Sequence, residues 1–424
     1  MKPLHIFLLL CFLSGIIFSC KENDDSVQPG ATWVKVIEEN HVYSPGRIRA
    51  DVSDHLFCSY SYTGYDNDSS SAMVKLDSLG NVAGQQDFPG LAIYDFQLNE
   101  AGEPMAAGFE NGIVSMMKLS ASLDEEPLQT GSYALPLDPA KIRKLNGLKM
   151  LKQADGHFLL YGTVRYTKNP YNGWMAFFAG FDAGGSFEWG DTTYLSDQNH
   201  VSAITGCAES EDGFVFLSYN QFPGFPVSSE FFIMKTDFKG QVVCDTSYIT
   251  VQYDSMDSLY SGYYCETSDV IPALDGQSFY GCAFNVRFNI PFFAGQVNTA
   301  DDNSARIFRF DACGNILARD SVKVDEQNQV SDLLLMKNGN LLLGINPYPL
   351  FGVYYTGQQN AFITLLNGEL GFQSAENLQT KYMDYVSSMC NLSDGAVAIE
   401  TIIQSFGGDG YRLQVTKTDK NGNF

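Results

Sequence analysis

The chain has 424 residues, 45% of them hydrophobic, and carries 49 acidic against 26 basic side chains for a formal net charge of −23. That supply of apolar residues is enough for a large core, whereas so acidic a body repels nucleic acid and anionic lipid, and neither is expected as a direct partner.

Residues 1–19 begin with a lone Lys2, run apolar over 6–13 and end in a short segment, 14–19, ahead of Cys20. This is a secretory signal, too short and wrongly flanked for a membrane-crossing helix. The segment before Cys20 resembles the lipobox of bacterial lipoproteins, with Phe18 where a smaller residue is commoner. The resemblance implies cleavage before Cys20 and lipidation of that cysteine. Glu22, Asp24 and Asp25 then resemble the acidic tag of surface-exposed lipoproteins of the Bacteroidota. This implies an outer-membrane lipoprotein, surface-exposed with the periplasmic face as the alternative, and held to the membrane by its acyl chains alone. Residues 20–31 continue as a flexible tether, and 32–424 read as one domain.

From residue 32 onward a short phrase recurs: an alternating strand, an acid, two or three loose residues, glycine, a polar residue and a second strand. Strong copies set Asp77 before Gly80 and Asn81, Asp237 before Gly240 and Gln241, Asp311 before Gly314 and Asn315, and Asp419 before Gly422 and Asn423. Weaker copies cover 117–124, 178–187 and 362–370. A second phrase precedes each, a polar turn followed by a short apolar strand. Asp155 with Gly156, Asp212 with Gly213, Asp275 with Gly276, Asn338 with Gly339 and Asp394 with Gly395 carry it, and 52–55 and 99–102 fill the same slot. Such pairs are strong hairpin signals, because glycine supplies the positive φ of a tight turn.

Each unit therefore holds four strands, too few to bury a hydrophobic face without stacking on its neighbours. Four-stranded units arranged radially form a β-propeller, which leaves only short, protected edges. The expectation is an all-β chain, a single seven-bladed β-propeller, with six or eight blades left open because two copies are degenerate. The chain stops at Phe424 where a fourth strand is due, and a strand beginning near Trp33 is expected to complete the last blade and close the ring. Only 138–151 carries helix-compatible residues, interrupted by Gly147.

Both tight turns fall on one face of such a ring, so every long connection emerges on the other. The long connections, read as 61–68, 165–174, 220–226, 286–295, 346–355 and 404–408, are rich in aromatic residues. Tyr65, Tyr166, Tyr171, Trp174, Phe222, Phe225, Tyr348, Phe351, Tyr354 and Tyr355 are the candidate ligand-binding residues. Tyr and Trp give large contact area at low entropic cost and are favoured at recognition surfaces.

Signatures of catalysis are missing from the sequence. The four histidines of the mature chain have no metal-pair spacing, and there is no nucleophile elbow and no phosphate-binding glycine loop. Neither metal nor cofactor is expected. The repeated turn acids are explained by Asx turns, and Asp419 opens a calcium-like phrase that lacks the distal glutamate. Asp66, Asp68, Asp301 and Asp302 make a glycosidase pair only if the fold juxtaposes them. Of the nine cysteines, most read as buried thiols, and Cys244 with Cys265 is the pair to test for a bridge.

The resulting expectation is an envelope lipoprotein that binds a glycan or a partner protein, without catalysis, through its aromatic long-loop face. An enzyme acting on polysaccharide and a structural subunit of an envelope complex are the alternatives.

Overall fold

The tight turns set the geometry. In blade 1, Asp77 Oδ1 accepts from the backbone N–H of Leu79 at 2.9 Å and of Asn81 at 2.8 Å, and Oδ2 accepts from the Asn81 side chain at 3.1 Å. Partial burial pushes this carboxyl up, but the hydrogen bonds from Asn81 and Leu79 outweigh it and hold the group below its usual range. The same arrangement recurs at Asp237, Asp311 and Asp419, so these acids are turn formers. Replacing Asp77 by alanine is expected to cost about 1–2 kcal/mol, seen as a lower denaturant midpoint.

Gly80 closes its turn at φ +84°, and a Cβ there would meet the Trp33 ring at 3.0 Å. Glycine is thus required twice at this position, once by the backbone and once by a neighbouring blade. In the degenerate copies Leu123 and Leu370 take the positive φ instead, at 58° and 70°, and both are buried.

The computed structural model describes residues 32–423 apart from residue 43 and the connections 64–68, 169–170, 197–200, 223–227, 250–258, 292–297, 300–303, 325–328, 347–359, 379–382 and 405–410. Among the described residues are seven antiparallel sheets, each a meander of four strands, with the two-residue Asn298–Thr299 added to the fifth. The inner strands are Ser44–Ala50, Asp95–Leu98, Ile142–Lys152, Val201–Ser210, Leu259–Pro272, Gln329–Leu335 and Met383–Asn391. Closure is as expected: Trp33–Val42 pairs with Tyr411–Lys417 as the outer strand of blade 7, with Trp33 opposite Lys417 and Lys35 opposite Val415. The chain is a closed seven-bladed β-propeller.

Its hydrophobic core is divided into layers between neighbouring blades. Leu56, Cys58 and Val74 of blade 1 pack with Ala398, Leu413 and Val415 of blade 7. Phe158 and Leu160 of blade 3 face Met105 and Met116 of blade 2, whereas Leu159 and Tyr161 face Phe214 and Phe216 of blade 4. Strand alternation thus sends successive side chains to opposite neighbours, and both faces of a blade are apolar. The stretch 138–151 forms no α-helix. Pro139–Lys141 makes one 3₁₀ turn capped by Asp138, and the remainder is the strand Ile142–Lys152, with Gly147 as a bulge between Asn146 and Leu148.

The disulfide differs from the pair suggested by the sequence. Cys244 joins Cys313, with Cα atoms 5.7 Å apart and a separation of 69 positions along the chain. Cys244 lies in the outer strand of blade 4, Val242–Ile249, and Cys313 in the outer turn of blade 5. That turn rests on blade 4: Thr246 Oγ1 donates to the Cys313 carbonyl at 2.8 Å, and the Tyr248 hydroxyl donates to the Gly314 carbonyl. The bridge therefore fixes a contact between blades, whereas pairing with Cys265 would have joined the outer strand of one blade to the inner strand of the next. Cys58, Cys207, Cys282 and Cys390 are buried as thiols.

Candidate functional site

Strand direction assigns the two ends of the ring. The turns joining first to second and third to fourth strands gather at one end, and the strands flanking every longer connection finish at the other. The strand ends that flank the aromatic-rich segments therefore lie on a single face.

Several of these segments are more ladder than loop. Strands continue to Thr63, Lys168, Phe222 and Pro291, because the Tyr and Phe that marked them as unusual loops, like the Thr and Val beside them, are good strand formers. Blade 5 carries the longest hairpin, Leu259–Pro272 against Ser278–Pro291, with Leu259 paired to Pro291 and Tyr263 to Arg287. It extends on the long-loop side, and its Tyr260, Tyr263 and Tyr264 were not among the expected site residues.

The candidate residues divide as follows. Tyr166 is half-buried on Phe158–Lys168, opposite Gly173. Trp174 is 3% exposed, so its ring is packed into the blade and is not offered to a ligand. Tyr171 and Phe222 stand at strand ends, opposite Lys168 and Ser228; their side chains lie outside the described residues. Tyr65, Phe225, Tyr348, Phe351, Tyr354 and Tyr355 lie outside the described residues altogether, as do Cys20 and the acids Asp66, Asp68, Asp301 and Asp302.

A second group of chemically capable residues lines the central channel. In six blades the residue four places before the one whose N–H closes the inner turn stands at the same level, giving Arg47, Asp95, Lys149, Asp269, Asp332 and Ser388. Arg47 lies between two carboxylates, Nε 3.8 Å from Asp95 and Nη1 3.7 Å from Asp332. These separations allow ion pairing but are too long for hydrogen bonds. Arg49 Nη2 is 3.7 Å from Asp95, while its Nε donates to Gln97 Oε1 at 3.1 Å and its Nη1 to the Ile48 carbonyl at 2.8 Å.

The two acids have their own donors. Asp95 accepts from the backbone N–H of Phe96 at 2.8 Å and of Met150 at 2.9 Å. Asp332 accepts from the N–H of Met389 at 2.6 Å. Met150 and Met389 belong to the following blades, so each carboxylate also ties one blade to the next. Lys149 donates to the Thr205 carbonyl across the same kind of junction.

Burial and mutual charge shift these groups. Burial pushes the Asp332 carboxyl up to about 6 against the pull of Arg47. Arg47, although burial opposes its charge, is held above its ordinary value by Asp95 and Asp332. Lys149 is lowered by burial, with Asp269 acting against the fall. Tyr161, opposite Lys149 in register, is pushed well up by burial and by Asp269.

Arg47, Arg49, Asp95, Lys149, Tyr161 and Asp269 line a cavity of about 1030 Å³ that reaches Gln153, Glu209, Glu211 and Asp275 at the tight-turn end. Among the described residues no cluster of three His, Cys, Asp or Glu is placed to hold a metal ion. The channel set escaped the sequence analysis, although a signal exists: each member lies six residues before the slot that holds Asp155, Asn338 or Asp394 in its own unit.

No protein-family model matches the chain, and no curated protein matches it. Solved structures do. The polysaccharide lyase Uly1 aligns at 9% identity over 95% of this chain and 94% of the lyase, with a TM-score of 0.53. A PL25 ulvan lyase, described as a new family of polysaccharide lyase, aligns at 10% identity over 90% and 95%, with a TM-score of 0.52. The Dos1 propeller aligns at 13% identity over 91% and 83%, with a TM-score of 0.46. At such identities the likeness is one of fold.

Proposed function

We propose that this protein is a lipid-anchored envelope protein that recognises a glycan, without catalysis, through the long-loop face of its propeller. The observation that supports this reading is the strand topology, which gathers the aromatic-rich connections at one end of the ring while the other end is built from Asx turns. Aromatic rings interleaved with Asn, Gln and Asp offer stacking faces together with hydrogen-bonding groups, the combination a sugar surface requires. Cys20 is the proposed lipidation site, and its acyl chains are the proposed membrane attachment. The two lyases named above act on polysaccharide; with this chain they share a fold, and a fold carries many functions.

The test is a glycan array with polysaccharide pull-down, using the purified protein and a variant with Tyr166, Tyr171, Tyr354 and Tyr355 changed to alanine. The expected result is saturable binding that falls at least tenfold in the variant, with intact polysaccharide recovered. Shortened or unsaturated products would replace this reading with that of a polysaccharide-acting enzyme. Binding to no glycan by a folded protein would move the proposal to a protein partner at the same face.

A further inference from the structure

The central channel holds more hydrogen-bond donors than its own acceptors use. The Arg47 guanidinium has five N–H groups, yet among the described residues it forms only the two long ion pairs at 3.7 and 3.8 Å. Asp95 and Asp332, the acids beside it, already accept from the backbone N–H groups of Phe96, Met150 and Met389. Tyr161 is 3% exposed and lines the cavity. A tyrosine hydroxyl and a guanidinium held only by long ion pairs, both facing one space, can donate to an acceptor-rich group.

We propose that the channel cavity, on the end of the ring opposite the long loops, is a second binding site that takes a small hydroxylated carboxylate, its carboxylate on Arg47 and Tyr161. The charges along the cavity set the class. Glu209, Glu211 and Asp275 stand at the mouth with Lys152, Asp275 being paired with Arg309 at 2.8 Å, and Asp95 and Asp269 lie deeper with Arg47, Arg49 and Lys149, so a multiply charged anion such as phosphate is opposed more strongly than a single carboxylate seated on Arg47. The mouth acids provide acceptors for hydroxyl groups. The volume of about 1030 Å³ admits a molecule of one or two sugar units. This site is independent of the long-loop face and does not rest on the function proposed for it.

Calorimetric titration of the purified protein with gluconate and galacturonate, with glucose, galactose and inorganic phosphate as controls, tests the proposal. Saturable binding is expected for at least one carboxylate and for neither neutral sugar nor phosphate. Arg47→Gln is expected to weaken it at least tenfold, and Tyr161→Phe, which removes a single hydroxyl, several-fold. Tyr166→Ala, on the other face, is expected to leave it unchanged. Should Arg47→Gln fail to fold, Tyr161→Phe decides. Carboxylate binding untouched by Tyr161→Phe, equal binding of the neutral sugars, tighter binding of phosphate, or no carboxylate binding up to millimolar concentration would overturn it.

Discussion

Changing Cys244 and Cys313 together to serine is expected to lower the unfolding free energy by about 4 kcal/mol, the loop-entropy value for a bridge closing some 69 residues. The effect arises mainly in the unfolded chain, which loses a long covalent loop. The folded contact keeps its other links, because Thr246 and Tyr248 still donate to the turn of blade 5. Denaturant titration of the variant should therefore show a lower midpoint with native-like circular dichroism before the transition. Treating the wild-type protein with reductant should reproduce the loss and leave the variant unaffected. Equal midpoints for the two proteins would show that the bridge does not form.

Glu400→Gln is expected to stabilise the protein. Glu400 is fully buried on Val397–Gln404, and neither carboxylate oxygen has a hydrogen-bond partner among the described residues. In the register of their own blades Ala107, Tyr161 and Gly344 occupy the same place, opposite the channel-level residue of the inner strand, so the position is elsewhere neutral. Burial raises the Glu400 carboxyl from 4.5 to about 8, with Arg47 and Arg49 opposing the rise and Asp332 adding to it; the Ser387 hydroxyl donates to the Glu400 backbone carbonyl at 3.1 Å and leaves the carboxylate without a partner among the described residues. The neighbouring Cys58 and Cys390 thiols are raised too, by burial first and by Glu400 among the charges around them.

The sign follows from linkage. Below about 4.5 both folded and unfolded chains hold the proton and the group has no effect on stability. Between 4.5 and 8 the unfolded chain releases it while the folded chain retains it, so stability falls as pH rises and levels off above about 8. At pH 7 the accumulated penalty is on the order of 3 kcal/mol. Glutamine removes it, so the variant should unfold at higher denaturant at pH 7 and show a flatter stability profile between pH 5 and 8. Asp332, raised to about 6, contributes a smaller slope of the same sign that remains in the variant. A profile identical in wild type and Glu400→Gln would mean that Glu400 is ionised and compensated in the folded protein.

Blade architecture was legible because its determinants are local. An acid that accepts from N–H groups two and four residues ahead, as Asp77 does, and a glycine at positive φ leave a spacing that recurs wherever the turn recurs. The closing strand could be read from Trp33 for the same reason, since the last unit lacks one strand and the first residues supply it. Contacts between blades were not legible in this way. Cys244 and Cys313 meet because the outer turn of one blade rests on the outer strand of the blade before, a relation that spacing along the chain does not express.

The candidate site shows the same division. Topology alone placed the aromatic-rich connections on one face, but composition could not separate Trp174, packed at 3% exposure, from Tyr166, which is half-buried. The channel residues have unlike chemistry at one structural level. Arg47, Asp95, Lys149 and Asp332 share an offset from their turns rather than a residue type, so a search for repeated residues passes over them.

Photo-crosslinking in intact cells tests the assignment of recognition to the long-loop face most directly. Benzoylphenylalanine would be placed at Tyr166 or Tyr171 on that face, and at Val52 or Leu274, 92% and 74% exposed on the opposite one. High-mass adducts from Tyr166 and Tyr171, with none from Val52 and Leu274, are the predicted result. Adducts confined to Val52 and Leu274 would contradict it and place the macromolecular partner on the tight-turn end of the ring.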